Sequence, residues 1–290
     1  MLALQILIDG FAISALYGLG AVGFTLMFGV SGVLNLSHGG IMVVAAVTAW
    51  AVANAGAGSW LGALAGVAAG VVMSYATYFL VVRPIQRSRA IPESEREVFV
   101  LTGTLLWGIM IQEAVAYEVT DNPKTVSPLI EGVTMIAGVR TPSNELLIAA
   151  ICWVTIGLLW LLINRTKIGK ALLAASINPR GLTLLGFELS NIHLLVWTIY
   201  GVLAGIAGVL LATFLGASSA QAGLLTASAF SIVVLGGLGS VAGSLIAAYI
   251  VGYLETFTAY VISSQIRSMP ALILLVVVVY VRPQGLLGRR

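Results

Sequence analysis

Apolar residues in this chain come in long uninterrupted runs rather than in a helical or alternating period, and short polar or glycine-rich breaks separate them. A helix needs about 20 predominantly apolar residues to cross the hydrocarbon core of a bilayer. The runs 2–30, 60–82, 98–119, 145–164 and 192–215 each meet that length. Residues 41–53 form a shorter apolar piece, and 269–281 leads into the C-terminal tail. Residues 227–262 are apolar but interrupted at Gly236-Gly237-Leu238-Gly239-Ser240. The pattern predicts an all-α, polytopic membrane bundle of about eight transmembrane segments, some of them glycine-broken or re-entrant, forming one transmembrane domain over residues 1–290.

Charge orients the bundle. Arg83, Arg87, Arg89 and Arg96 form one basic cluster, Arg165, Lys167, Lys170 and Arg180 a second, and Arg282, Arg289 and Arg290 a third. The polar loop 120–144, with Pro123, Pro128 and Pro142, has only Lys124 and Arg140. Cytoplasmic loops are enriched in Lys and Arg, so the three clusters mark the inner side. Parity then makes a demand. The segments 218–226 and 263–268 both fall outside, so residues 227–262 must begin and end on the same side. The glycines at 236–239 must therefore reverse the chain, within the membrane or at its inner face. Irregular backbone at membrane depth survives only under protein or beside a water-filled cavity. Broken helices in transporters commonly border the substrate route. A second break, Ser31, Gly32, Asn35, Ser37, His38, Gly39 and Gly40, interrupts the N-terminal half. One break per half hints at an internal repeat. No charge near the N-terminus decides its side.

Composition narrows the class. Of 290 residues, 59% are hydrophobic and 9% charged, where a soluble globule carries about 25% charge. The 33 glycines suit close helix packing. The pI near 9.1 follows membrane sidedness and lacks interleaved aromatics, so no nucleic-acid partner is expected. Cys152 is alone in an apolar span, which excludes an internal disulfide or a cysteine metal site. A cleavable signal peptide is not expected, for the N-terminal run has no preceding Lys/Arg region. Nothing in the pattern calls for a catalytic residue, a cofactor or a metal.

The second basic loop, 165–190, contains a helix too short to span. Asn178 suits an N-cap, Pro179 the first helical position and Gly186 the left-handed position after the last turn. A helix this short is unstable alone in water. Leu182, Leu184 and Leu185 can dock it on this chain's spans or on a cytoplasmic partner, and a connector lying on the membrane surface is an equal reading of the same residues.

These residues together resemble a known family. The run Tyr17-Gly18-Leu19-Gly20 through Asn35-Leu36-Ser37-His38-Gly39 is similar to the opening signature of branched-chain amino acid ABC transporter permeases, the leucine/isoleucine/valine uptake type. Arg83-Pro84-Ile85, Ile168-Gly169-Lys170-Ala171, Asn178-Pro179, Leu184-Leu185-Gly186, Phe230 through Ser240 with Gly243, and Arg282-Pro283-Gln284-Gly285-Leu286-Leu287-Gly288 match further family segments in order. Gly181 and Phe187 depart from the usual pattern of small helix formers and Ile. The resemblance implies an inner-membrane importer subunit that translocates branched-chain amino acids or related small polar solutes. It implies a second, homologous permease, two ATPase subunits, a periplasmic or lipid-anchored solute-binding protein and surrounding membrane lipid. The chain has no G-x-x-x-x-G-K-[ST] run, so ATP is expected to bind elsewhere. By the same resemblance Asn178, Pro179, Leu182, Leu185 and Gly186 carry the ATPase coupling.

Candidate pathway residues are those of the breaks, Asn35, His38, Gly39, Gly236, Gly237 and Gly239, together with Glu255. For His38 the weightier role is holding its turn by hydrogen bonds, because buried polar groups need partners. Asn35 is expected to cap the broken helix. Glu255 falls inside an apolar segment, and an intramembrane carboxylate is a functional candidate by default. Asp9 is expected in solvent, Glu113 and Glu118 at the outer interface, His193 at the inner one. The six tryptophans include interface anchors. An ion-coupled secondary transporter would favour several mid-span ionisable groups, and a passive urea or amide channel would have no use for a docked inner helix.

Overall fold

The computed structural model describes residues 2–119, 122–136, 138–282 and 284–288. Pro283, Arg289 and Arg290 of the C-terminal signature and basic cluster, and Thr120 at the start of the polar loop, lie outside the described residues. The chain folds into α1 (Leu2–Ser31), α2 (His38–Val52), α3 (Ser59–Thr77), α4 (Arg83–Arg87), α5 (Arg96–Val119), α6 (Ser143–Arg165), α7 (Lys167–Ile177), α8 (Pro179–Leu184), α9 (Leu189–Phe214), α10 (Gln221–Gly236), α11 (Val241–Val261) and α12 (Met269–Val281). An antiparallel hairpin, β1 (Val133–Ile136) and β2 (Val139–Pro142), interrupts the polar loop. Among the described residues, 8 helical segments are long and apolar enough to cross a membrane, and the apolar α10, with 16 residues, is shorter.

Helices dominate because every backbone N–H and C=O must find a partner inside the segment when lipid offers none. The core forms around α1, most of which is buried. It runs antiparallel to α11: Thr25 meets Ser244 at 2.6 Å, and the Tyr260 hydroxyl donates to Asp9. Small residues let the axes approach. Gly70 faces the backbone of Gly205, and Gly252 faces Ser14, each with no room for a Cβ.

Contacts fix the direction of each span. Gly29, near the end of α1, lies against Gly239, and the tail residues Leu286 and Leu287 donate backbone N–H groups to Leu235 and Gly236. The end of α1, the glycine break and the basic tail therefore share the inner side. The N-terminal end of α1 is outer, which charge alone left open. Since α10 descends to Gly236 and α11 rises from Val241, the reversal required by parity occurs at the inner face.

Several boundaries differ from the sequence expectation. The piece 41–53 belongs to a full span, because α2 starts at His38 and continues through a widened π turn, Ala53–Ala57. The break is residues 32–37, and His38, Gly39 and Gly40 form the first turn of the helix after it. The run 60–82 does not stop at Arg83. A π turn, Tyr78–Val82, carries it into α4, one turn before Pro84; a proline ring removes an N–H and crowds the carbonyl four residues back, and a widened turn absorbs both. The loop expected at 218–226 is already helical from Gln221. The second basic loop holds two helices rather than one. The unpredicted α7 is capped by Thr166, whose hydroxyl accepts from Gly169 N at 3.0 Å.

Candidate functional site

The irregular segment after α1 climbs back into the bundle before α2 begins. Gly32 turns the chain at φ +66°, and the next residues place His38 beside Phe24, with ring centroids 5.3 Å apart. Phe24 lies seven residues above the end of α1, so α2 starts roughly 10 Å inside the bundle at 1.5 Å per residue. Such backbone must be satisfied by side chains from its neighbours, and it is. Asn35 Oδ1 accepts from Ser37 N at 3.0 Å and Ser37 Oγ at 2.7 Å, and Asn35 Nδ2 donates to Tyr200 Oη at 3.1 Å. His38 Nδ1 pairs with the same hydroxyl at 2.9 Å. Leu36 N donates to Thr104 Oγ1 at 3.1 Å, and Gly39 N donates to Thr226 Oγ1 at 2.9 Å. Thus α5, α9 and α10 each supply one hydroxyl to the break. Asn35, expected to cap the broken helix, does not cap α2. Its side chain makes a local turn two residues on, a geometry Asn favours, and Ser37 occupies the cap position without a side-chain bond. His38 is tied to α9 through Nδ1 alone, and its Nε2 is buried without a hydrogen-bond partner among the described residues.

Beside this centre lies a cleft of about 230 Å³ between α5 and α10, floored by Leu36 and Gly40. Leu105, Ile109 and Phe230 give it apolar walls, and Gln112 and Thr226 give it polar atoms. It opens on the side where α5 is largely exposed.

The other predicted pathway glycines sit elsewhere. Gly237 has φ +100° and Gly239 φ +83°, and both belong to the turn at the inner face. Gly236 and Gly237 pack against the tail, where Leu286 N and Leu287 N satisfy carbonyls at the end of α10 at 2.7 and 3.0 Å. From Thr226 to Gly236 is ten helical residues, roughly 15 Å, so Gly39 and Gly236 lie at different depths, although the first break begins at Gly32 beside the second, where Gly32 and Gly239 line one cleft.

Glu255 is fully buried on α11. Tyr17 Oη donates to its Oε2 at 2.7 Å, Ser228 Oγ to its Oε1 at 3.4 Å, and Arg267 Nε stands 3.9 Å from Oε2. A buried carboxylate persists when its oxygens are hydrogen-bonded and a base is near. Asp9 is buried too, held by Tyr260, so its expected place in solvent is corrected. Near a chain end it is still covered, because α1 enters the bundle within its first turns. Glu113 and Glu118 are exposed at the outer end of α5.

On the inner side, α8 has the geometry its residues predict. Asn178 Oδ1 accepts from Gly181 N at 2.9 Å, Pro179 occupies the first turn, and Gly186 has φ +85°. Leu182 is 3% exposed and docks the helix on this chain, whereas Leu184 and Leu185 are 89% and 75% exposed. Exposed Ile177 and Phe187 flank them. A cleft of about 810 Å³, lined by Ser31, Leu172, Pro179, His193 and Leu238, separates this short helix from the inner ends of the spans.

Sequence reasoning missed Tyr200, Tyr17, Thr104, Thr226, Ser228 and Arg267. Their signal is slight: single hydroxyls in apolar runs, and in Arg267 one base in an otherwise uncharged outer segment.

The chain matches the family model described as branched-chain amino acid transport system, permease component, over residues 6–281. It is 29% identical to the high-affinity branched-chain amino acid transport permease BraD of Pseudomonas aeruginosa, covering 99% of this chain and 96% of that protein. It is 25% identical to LivH of Escherichia coli, described in the same words, over 99% and 96%. Among solved structures, PsaBC from Streptococcus pneumoniae aligns with a TM-score of 0.54 over 96% of this chain and 92% of that one; at 12% identity the likeness is one of fold.

Proposed function

The chain belongs to the family of permease components of branched-chain amino acid transport systems, and from that premise we propose how its parts divide the work. It is the membrane-spanning permease subunit of an ABC importer, a multi-pass protein of the inner membrane that works with ATPase and solute-binding partners. Its solutes are branched-chain amino acids, as the names of BraD and LivH have it, or closely related small polar molecules.

In this reading two ATPase subunits dock under the bundle, one of them on α8 through Leu184 and Leu185. Asn178, Pro179 and Gly186 shape that helix and Leu182 anchors it. The observation that carries the reading is this split of one short helix into a docked and a bare apolar side on the inner face. A second, homologous permease subunit lies against the α5 side and closes the cleft beside Asn35, His38 and Gly39 into a route. Motion at α8 passes to α9, which begins five residues later, and α9 carries the Tyr200 hydroxyl that holds both Asn35 and His38. Glu255 braces α11 against α1 and α10. Gly236, Gly237 and Gly239 form the inner pivot between α10 and α11.

The test is uptake of radiolabelled leucine by proteoliposomes holding the complete complex. Uptake is expected only with ATP on the ATPase side and binding protein on the other. Uptake by this chain alone, driven by a proton or sodium gradient, would refute the reading.

A further inference from the structure

Besides the cleft at the breaks, one cavity gathers two acids and a base in a single lining. It has a volume of about 390 Å³ and lies at the outer end between α1, α6, α9 and α11. Asp9 and Glu145 line it on one side and Arg267 on another, with Ile13, Phe214 and Leu215 between. Asp9 and Glu145 are in side-chain contact. Arg267 approaches Glu255 through Nε, yet its Nη2 is buried with no hydrogen-bond partner among the described residues. Glu145 Oε2 is likewise buried and without a partner among them. Buried polar atoms left unpaired are costly, and here one guanidinium nitrogen and one carboxyl oxygen belong to residues that line the same cavity.

We propose that this cavity is an outer subsite for a zwitterionic amino acid. The inference rests on the permease reading and extends it to substrate chemistry inside this chain. The ligand's ammonium meets the Asp9–Glu145 pair, and its carboxylate takes the free edge of the Arg267 guanidinium, both as charge-assisted hydrogen bonds. An aliphatic side chain lies against Ile13, Phe214 and Leu215. The volume falls within the range of small-molecule sites, about 300–1,000 Å³. The residues come from the outer ends of their helices, so the ligand enters from the side where the binding protein delivers it. A simple amine would leave Arg267 Nη2 unanswered, and a simple carboxylate would face two acids.

The experiment measures radiolabelled leucine binding to the complete complex in lipid nanodiscs, without the binding protein. Isoamylamine and 4-methylpentanoate, which each lack one of leucine's charged groups, serve as competitors. Both are expected to compete at least tenfold more weakly than leucine. E145Q and R267Q are expected to weaken leucine binding tenfold or more. Analogues that compete as well as leucine, binding unchanged in both variants, or no binding by a complex that performs ATP-driven uptake would overturn the subsite. The competition series uses the unaltered chain, so a variant that fails to fold leaves the test standing. Failure of all ATP-driven amino acid uptake would instead sink the permease reading.

Discussion

Gly39→Ala is expected to abolish the folded protein, although it adds one methyl group. A Cβ at Gly39 would stand 2.0 Å from the carbonyl oxygen of Ala222 and 2.7 Å from Thr226 Oγ1. Neither neighbour can yield cheaply. The carbonyl belongs to the first turn of α10, and the hydroxyl accepts from Gly39 N itself. Overpacking costs about 1–3 kcal/mol, occasionally more. Stripping the amide of its only non-helical partner adds about 1–3 kcal/mol more. The sum is a large part of a typical stability of about 5–15 kcal/mol. Gly223→Ala is the matched control: next to Ala222 on the facing helix, its new methyl would meet Gln112 Oε1 at 3.8 Å, an ordinary contact. Size-exclusion profiles and thermal midpoints of the detergent-solubilised variants check the pair. Gly39→Ala should lose its monodisperse peak and Gly223→Ala should keep it. A stable, monodisperse Gly39→Ala protein would mean that α2 and α10 do not meet as described.

The double substitution Leu184→Asp/Leu185→Asp is expected to leave the fold intact and to cut ATP-driven uptake at least tenfold. Both side chains already stand in solvent in the isolated subunit, so charging them costs the bundle little. Placing the same carboxylates in an apolar contact with an ATPase subunit leaves them unpaired and desolvated, which costs several kcal/mol. Leu182→Ala separates docking from coupling, because Leu182 is buried on this chain. It should lower stability by about 2–5 kcal/mol, the usual range for deleting a buried leucine. Affinity purification reads the first effect directly: the ATPase subunits should not co-purify with the double variant, yet the permease should keep its thermal midpoint. Co-purification and uptake at the unaltered level would remove α8 from the coupling route.

The fold was legible where one physical requirement dominated. Run length located the spans, and parity demanded a reversal at Gly236–Ser240, where the chain does turn back between α10 and α11. Asn178, Pro179 and Gly186 announced α8 because capping and φ restrictions act locally. The failures share a cause. His38 through Gly40 looked like loop because glycine and histidine are poor helix formers, yet tertiary hydroxyls from Thr104, Tyr200 and Thr226 let the helix begin there. The extension through Tyr78–Val82 was hidden because a π turn has no sequence signature to set against Pro84. Asp9 seemed exposed from its position in the chain, but exposure is set by α11 and Tyr260, hundreds of residues away. The same holds for the Asp9, Glu145 and Arg267 cavity, whose charges come from three separate segments that only the folded bundle assembles.

The account depends most on α8 facing the side where the ATPases reside. The only cysteine, Cys152, is fully buried, so introduced cysteines report without background. Leu184→Cys and, in the exposed part of the 120–144 loop, Glu131→Cys are treated in intact cells with a membrane-impermeant maleimide. Glu131→Cys should react at once, and Leu184→Cys only after the membrane is permeabilised. Labelling of Leu184→Cys from outside intact cells, with Glu131→Cys protected, would contradict the account.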